Sequence, residues 1–247
     1  MFHLFVVLLF VWLLVAYLVL PALWRRHDKR HPAIEGAPTI TLTANGIHGD
    51  PLNIALVGSE TEVQQGMLAA GWFPADAITL RSSLHIATAI VMRHEYADAP
   101  VSNLFLFGRK QDLAFEQPVG KSPSQRHHVR FWKSAQVDEE QNPLWFGAAT
   151  FDSKSGFSHT TAQITHHISP EVDPERDRII SGLQEAGFLT DVNWIDGFQP
   201  QLTGKNGGGD PYHTDGRLAV GILKSQTDYS PAVVPGASEG PESIGSE

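Results

Sequence analysis

Apolar and polar positions follow three different patterns along the chain. The first is continuous. From Phe2 to Trp24, 23 residues pass without Asp, Glu, Lys or Arg, and most are Leu, Val or Phe. As an α-helix they span about 35 Å, enough for a hydrocarbon core of roughly 30 Å. Trp24 stands at the end of the run, where an interfacial aromatic belongs, and Arg25, Arg26, Lys29 and Arg30 follow as a basic stop. The run is too long for a secretory signal, has no positive residue before it and no small-x-small site after it. The pattern predicts an uncleaved transmembrane helix over 1–24 with a basic juxtamembrane linker over 25–38. The positive-inside rule puts the globular part in the cytoplasm.

The second pattern fills 39–225 and alternates between helical and strand periods. Asn53–Val57 reads as a short buried strand. Ser59-Glu60-Thr61-Glu62 is a capping box that starts a helix running to Ala70, with Gly71 as its stop and Trp72 placed to touch Met67. Asp173-Pro174-Glu175 predicts a second helix with Asp173 as N-cap and Pro174 at the first position. It ends at Ala186-Gly187, with Phe188 placed to touch Leu183. The two helix ends align as Gly66-x3-Ala70-Gly71-Trp72 and Gly182-x3-Ala186-Gly187-Phe188, which reads as one stop signal used twice or as an internal repeat. Ser82–His94 fits either period, and its length favours a helix. Strands are expected at Val101–Phe107, His127–Lys133, Leu144–Phe151, His159–Ile168, Asp191–Phe198 and Arg217–Leu223. About seven strands and about three helices, with several strands adjacent in sequence, predict an α+β domain with a mixed or antiparallel sheet and helices on one face. The third pattern, over 226–247, is Pro, Gly, Ser and Glu without a basic residue, the composition of a disordered tail.

Composition narrows the chemistry. There is no cysteine, which excludes a disulfide framework, a thiol nucleophile and a Cys-ligated metal. A net charge of −9 argues against nucleic acid as a partner. An acidic body is repelled by an anionic leaflet, so the lipid-bilayer contact is assigned to residues 2–24, with a membrane-protein partner as a further candidate.

Histidine is abundant, with 12 in the chain. In Arg126-His127-His128-Val129-Arg130-Phe131-Trp132 the strand period puts His127, Val129 and Phe131 on one face, so His127 reads as a core histidine. Arg126, His128, Arg130 and Trp132 share the other. Flanking arginines keep His128 neutral, and that face suits an anion, a carboxylate partner or solvent. In Ile164-Thr165-His166-His167-Ile168 the same alternation makes His166 core and His167 polar. His128 and His167, with Asp152 or Asp173, form a candidate divalent-metal set assembled across strands. Gly204–Gly216 contains Asn206-Gly207-Gly208-Gly209-Asp210. It reads as a long hairpin connection or as a loop carrying Asp210 and His213 to a ligand. Arg109, Arg126, His128, Arg130, Asp210 and His213 are the candidate ligand-binding residues. No nucleophile elbow or other catalytic motif is present, and no catalytic residue is assigned.

Several longer stretches carry a resemblance. Gly49–Asn53, Ala70-Gly71-Trp72, Ala99–Leu104, Phe107–Phe115, Arg126–Trp132, Thr165–Ile168, Asp173–Asp177 and Asn206–Gly216 resemble the LssY C-terminal domain, a bacterial module named for a type I secretion component. The resemblance spans about 35–225. It implies an inner-membrane setting and a link to secretion or lipid metabolism, and it carries no established activity. Two functions follow as expectations. One is a membrane-anchored module that binds a partner or a small anionic ligand. The other is a metal-assisted phosphoester hydrolase built on His and Asp ligands.

Overall fold

The computed structural model describes residues 2–20, 34–75, 103–120, 125–138, 141–157 and 164–225. The helix expected at Ser82–His94, the tail 226–247 and most of the juxtamembrane linker lie outside the described residues. The N-terminal apolar run forms α1 (Phe2–Leu14), which passes into a π-helical segment at Val15–Val19. There the Leu20 N–H donates to the Val15 carbonyl. The hydrogen-bond pattern of the expected span changes at Val15, and its residues 21–24 lie outside the described residues. Among the described residues no helix is long and apolar enough to cross a membrane. The described side chains of α1 are exposed, Leu4, Leu8, Phe10 and Trp12 among them.

In the body the chain runs β1 (Ile40–Thr43), β2 (His48–Pro51), β3 (Ile54–Val57), α2 (Glu60–Ala69), β4 (Phe73–Pro74), β5 (Leu104–Leu106), β6 (Arg109–Lys110) and β7 (Leu113–Pro118). It continues through β8 (Arg126–Val137), β9 (Pro143–Phe157), β10 (Ile164–Ile168), α3 (Asp173–Glu185), β11 (Leu189–Ile195), β12 (Thr203–Lys205), β13 (Pro211–His213) and β14 (Leu218–Leu223). The large sheet has the order β11-β14-β3-β9-β8-β7-β4, with β10 pairing the far half of β9. Every pairing in it is antiparallel except β14 with β3. This is the expected mixed α+β arrangement.

The two helices cover one face. Ile54, Leu56, Phe115, Phe131 and Trp145 of the sheet pack there against Val63, Met67, Ile179 and Leu183. The helices approach closely because small residues face each other. A Cβ on Gly182 would stand 3.3 Å from the Ala70 Cβ, and one on Gly66 would stand 3.0 Å from Leu183. The two aligned helix ends are thus packing partners. The opposite face is covered in part by a second sheet, β2-β1-β5-β6. Leu104 and Leu106 pack there with Ala55, Val57, Trp132, Phe146 and Val220. β3 lies between the layers, and all four of its residues are buried.

Both helix stops form as the sequence predicts. The Trp72 N–H donates to the Met67 carbonyl at 2.9 Å and the Phe188 N–H to the Leu183 carbonyl at 2.9 Å. Gly71 and Gly187 take φ of +79° and +74°, which glycine adopts without a Cβ clash. The capping box at Ser59 and Glu62 is complete. The start of α3 differs from expectation. Val172 is its N-cap residue, without a side-chain cap, and Asp173 is the first helical residue. The Asp173 carboxylate instead accepts from Thr214 Oγ1 at 2.8 Å and from the Asp215 N–H at 2.6 Å. A distant loop has taken the acceptor that a local cap would have used.

Candidate functional site

Strand β8 carries the centre of the candidate site. Its alternation places Arg126, His128, Arg130 and Trp132 on the face away from the helices. His127 points the other way, to the helices, and its Nδ1 lies 2.7 Å from Glu175 Oε2 on α3, the core role expected of it. The neighbouring strands add polar residues to the β8 face. Arg126 stands opposite Asp152 and His128 opposite Thr150 on β9. His128 stands opposite Glu116 on β7.

Two buried guanidiniums organise these groups. Arg126 Nε donates to Asp152 Oδ2 and Arg126 Nη1 to Glu116 Oε2, each at 3.0 Å. Arg130 Nη1 donates to Asp50 Oδ2 at 3.3 Å. Asp50 also accepts from Asn206 Nδ2 at 3.2 Å, and Asn206 Oδ1 accepts from the Asp210 N–H at 2.9 Å. Asp210 closes the chain with its Oδ1 2.6 Å from His167 Nδ1. One hydrogen-bonded line thus runs from β8 through β2 and the glycine-rich run to β10. The run itself is a hairpin of β12 and β13, and it places Asp210 in this hydrogen-bonded line.

Burial sets the ionisation of this cluster. His128 is held well below its usual range by desolvation first, then by Arg130, Arg126 and His166. It is neutral, as its flanking arginines predicted. Desolvation raises Asp50 and Glu116, against the opposing pull of Arg130 and Arg126 respectively. His166 is lowered by burial, while Asp152 works against that shift. Among the described residues several buried atoms here meet no hydrogen-bond partner: both nitrogens of His128, Arg126 Nη2 and Thr150 Oγ1. Buried polar groups are almost always satisfied, so such a concentration needs an explanation.

The other sequence candidates separate from this cluster. Arg109 sits on β6, exposed, and pairs with Asp112 at 2.7 Å and with the Lys133 carbonyl. His213 is exposed beside Glu171, 3.2 Å away. Asp173 belongs to the Arg176–Asp215 network at the start of α3. It therefore does not join His128 and His167 in a metal set. Among the described residues no group of three or more His, Asp or Glu stands as a metal site. The two β10 histidines exchange their expected places. His167 is buried against Asp210, whereas His166 is half-buried and feels Asp152, Arg126 and Arg130. Just beyond them the register shifts between His167 and Ile168, where β9 carries one extra residue.

Asp50, Glu116, Thr150, Asn206 and His166 were not among the sequence candidates. Asp50 looks like part of a turn, and Thr150 like one residue of an apolar strand. Glu116 had a readable signal, because Leu113 and Phe115 alternate with Ala114 and Glu116 across β7.

Comparison with known proteins adds one result. A family model described as LssY C-terminus matches residues 34–218, about three quarters of the chain. No curated protein and no solved structure matches the chain significantly.

Proposed function

The chain belongs to the LssY C-terminus family, and from that premise we propose that it is a membrane-anchored module whose domain binds a small anionic ligand on the Arg126–His128–Arg130 face of its sheet. One observation carries the reading. Arg126 Nη2, the Thr150 hydroxyl and the His128 imidazole lie at neighbouring positions of β8 and β9, are buried, and meet no hydrogen-bond partner among the described residues. Each carries a donor, and a ligand rich in acceptor oxygens can accept from all three at once. Leaving them unmet costs about 1–3 kcal/mol apiece, which is affinity held in reserve for that ligand.

The anchoring half of the proposal rests on α1. Its apolar residues are exposed on every side, and an all-round apolar helix needs a lipid or protein environment. Phe2–Val19 is helical without a gap, although the hydrogen-bond pattern changes at Val15. We place the protein in the inner membrane with its domain on the cytoplasmic side, following the basic cluster after Trp24.

Titration calorimetry on the full chain in detergent tests the ligand reading, with sulfate and inorganic phosphate as probes. Saturable binding to wild type, weakened at least tenfold in a folded His128→Leu variant, is the expected result. No binding of either anion would sink it. A C-terminal alkaline phosphatase fusion tests topology. Activity outside the cytoplasm would reverse the orientation.

A further inference from the structure

We infer that this anion site takes up one proton from solution with each anion it binds, and that the proton resides on Glu116. The inference deepens the binding reading above and rests on it. Its basis is the charge inventory of the cluster. With Asp210 matched to His167, three carboxyls, Asp50, Glu116 and Asp152, face only two guanidiniums, Arg126 and Arg130. Neither His128 nor the half-buried His166 beside it adds charge at neutral pH, because burial lowers both. The buried site therefore already holds more acid than base before any ligand arrives. A further negative charge in that desolvated setting would have no counter-ion. Protonating one carboxyl offsets one unit of that added charge.

Geometry selects Glu116 among the three. Arg126 serves two carboxylates at once, Asp152 through Nε and Glu116 through Nη1, each at 3.0 Å. Asp50 has its own guanidinium in Arg130 and an added amide donor in Asn206. Protonated Glu116 no longer competes for Nη1. That nitrogen and the adjoining Nη2, which has no partner, then present a two-pronged edge to an oxyanion. The surroundings of Glu116 agree. Across the ladder β8 offers Arg126 and His128, β9 adds Asp152, and β4 on the other side offers Phe73. Burial already pushes the Glu116 carboxyl upward toward the protonated form.

The proton ledger balances simply. Glu116–COO⁻ and H⁺ become Glu116–COOH, and the incoming anion takes the charge position at Arg126. No covalent bond of the ligand changes.

Sulfate is the decisive probe, because it does not titrate near neutrality while phosphate does. Calorimetry of the full chain in detergent, repeated in buffers of different ionisation enthalpy, reads the protons taken up. The expected value for sulfate is about one per anion, with affinity falling about tenfold per pH unit above the Glu116 pKa. In Glu116→Gln the uptake should vanish and the pH dependence flatten, with tighter binding than wild type at alkaline pH. Sulfate binding without proton uptake would overturn the inference and leave the binding reading intact. Uptake with phosphate only would overturn it too, because the proton would then ride on the ligand. Undiminished uptake in the Gln variant would overturn the assignment to Glu116. Absence of binding by either anion removes the site itself. The wild-type pH profile needs no variant and stands if Glu116→Gln fails to fold.

Discussion

The imidazole of His128 and the hydroxyl of Thr150 stand opposite one another on β8 and β9, and neither meets a hydrogen-bond partner although both are buried. A fold does not gain by this. A leucine of similar volume in place of His128 removes two unsatisfied polar atoms. His128→Leu is therefore expected to raise stability by about 1–2 kcal/mol while weakening anion binding at least about tenfold. Chemical denaturation read beside calorimetry checks both halves. A destabilised variant would mean that His128 already has its partners.

Asn53 is the opposite case, a buried polar side chain fully used. Its Nδ2 donates to the carbonyls of Ala149 and Val172 at 3.0 and 3.1 Å, and its Oδ1 accepts from the Ala149 N–H at 3.0 Å. These bonds tie the middle of β9 to the entry of α3. Asn53→Ala strands three backbone groups in the interior. We expect a loss of about 2–4 kcal/mol, visible as a lower denaturation midpoint. A change under about 0.5 kcal/mol would contradict this account.

Arg176 is almost wholly buried and reaches Asp215, Asp173 and Asp177 at 2.8, 3.4 and 2.8 Å while lying over Trp194. Partial burial would raise Asp215, but hydrogen bonds from Arg176 and Arg217 hold its carboxyl far below the ordinary range. A carboxyl depressed in the folded state contributes stability above its unfolded pKa, near 3.9, and loses it as pH falls further. Acid titration of stability should therefore show a loss below about pH 4 that is smaller in Asp215→Asn. At neutral pH, Arg176→Gln should cost about 3 kcal/mol, because it leaves the carboxylates without their shared cation. Identical acid profiles for wild type and Asp215→Asn would rule the linkage out.

Gly156 faces the His167 ring. A Cβ there would fall 2.6 Å from Nε2, closer than real Cβ contacts come. Gly156→Ala must push the imidazole, and the ring is held on its far side by Asp210 at 2.6 Å. The expected cost is about 1–3 kcal/mol, with a displaced His167 resonance in histidine-selective NMR. An unmoved resonance would show that β9 yields there instead of the ring.

Local signals were legible wherever the partner lies within a few residues. The capping box at Ser59, the two glycine stops and the β8 alternation all depend on neighbours along one element. That is enough to choose Arg126, His128 and Arg130 as one face. The composition likewise excluded thiol chemistry and separated the apolar first segment from the acidic body. Other assignments depended on contacts between distant segments. Asp173 lost its capping role because Thr214 and Asp215 arrive from forty residues away. His167 is buried because Asp210 reaches it from the hairpin, a contact that no periodicity encodes. Asp50, Glu116 and Asn206 joined the site because β2, β7 and the hairpin converge on β8. Period and caps are short-range physics written into the order of residues. Which charges share a buried site is decided by desolvation and by strands meeting across the fold, and only the tertiary structure brings those into contact.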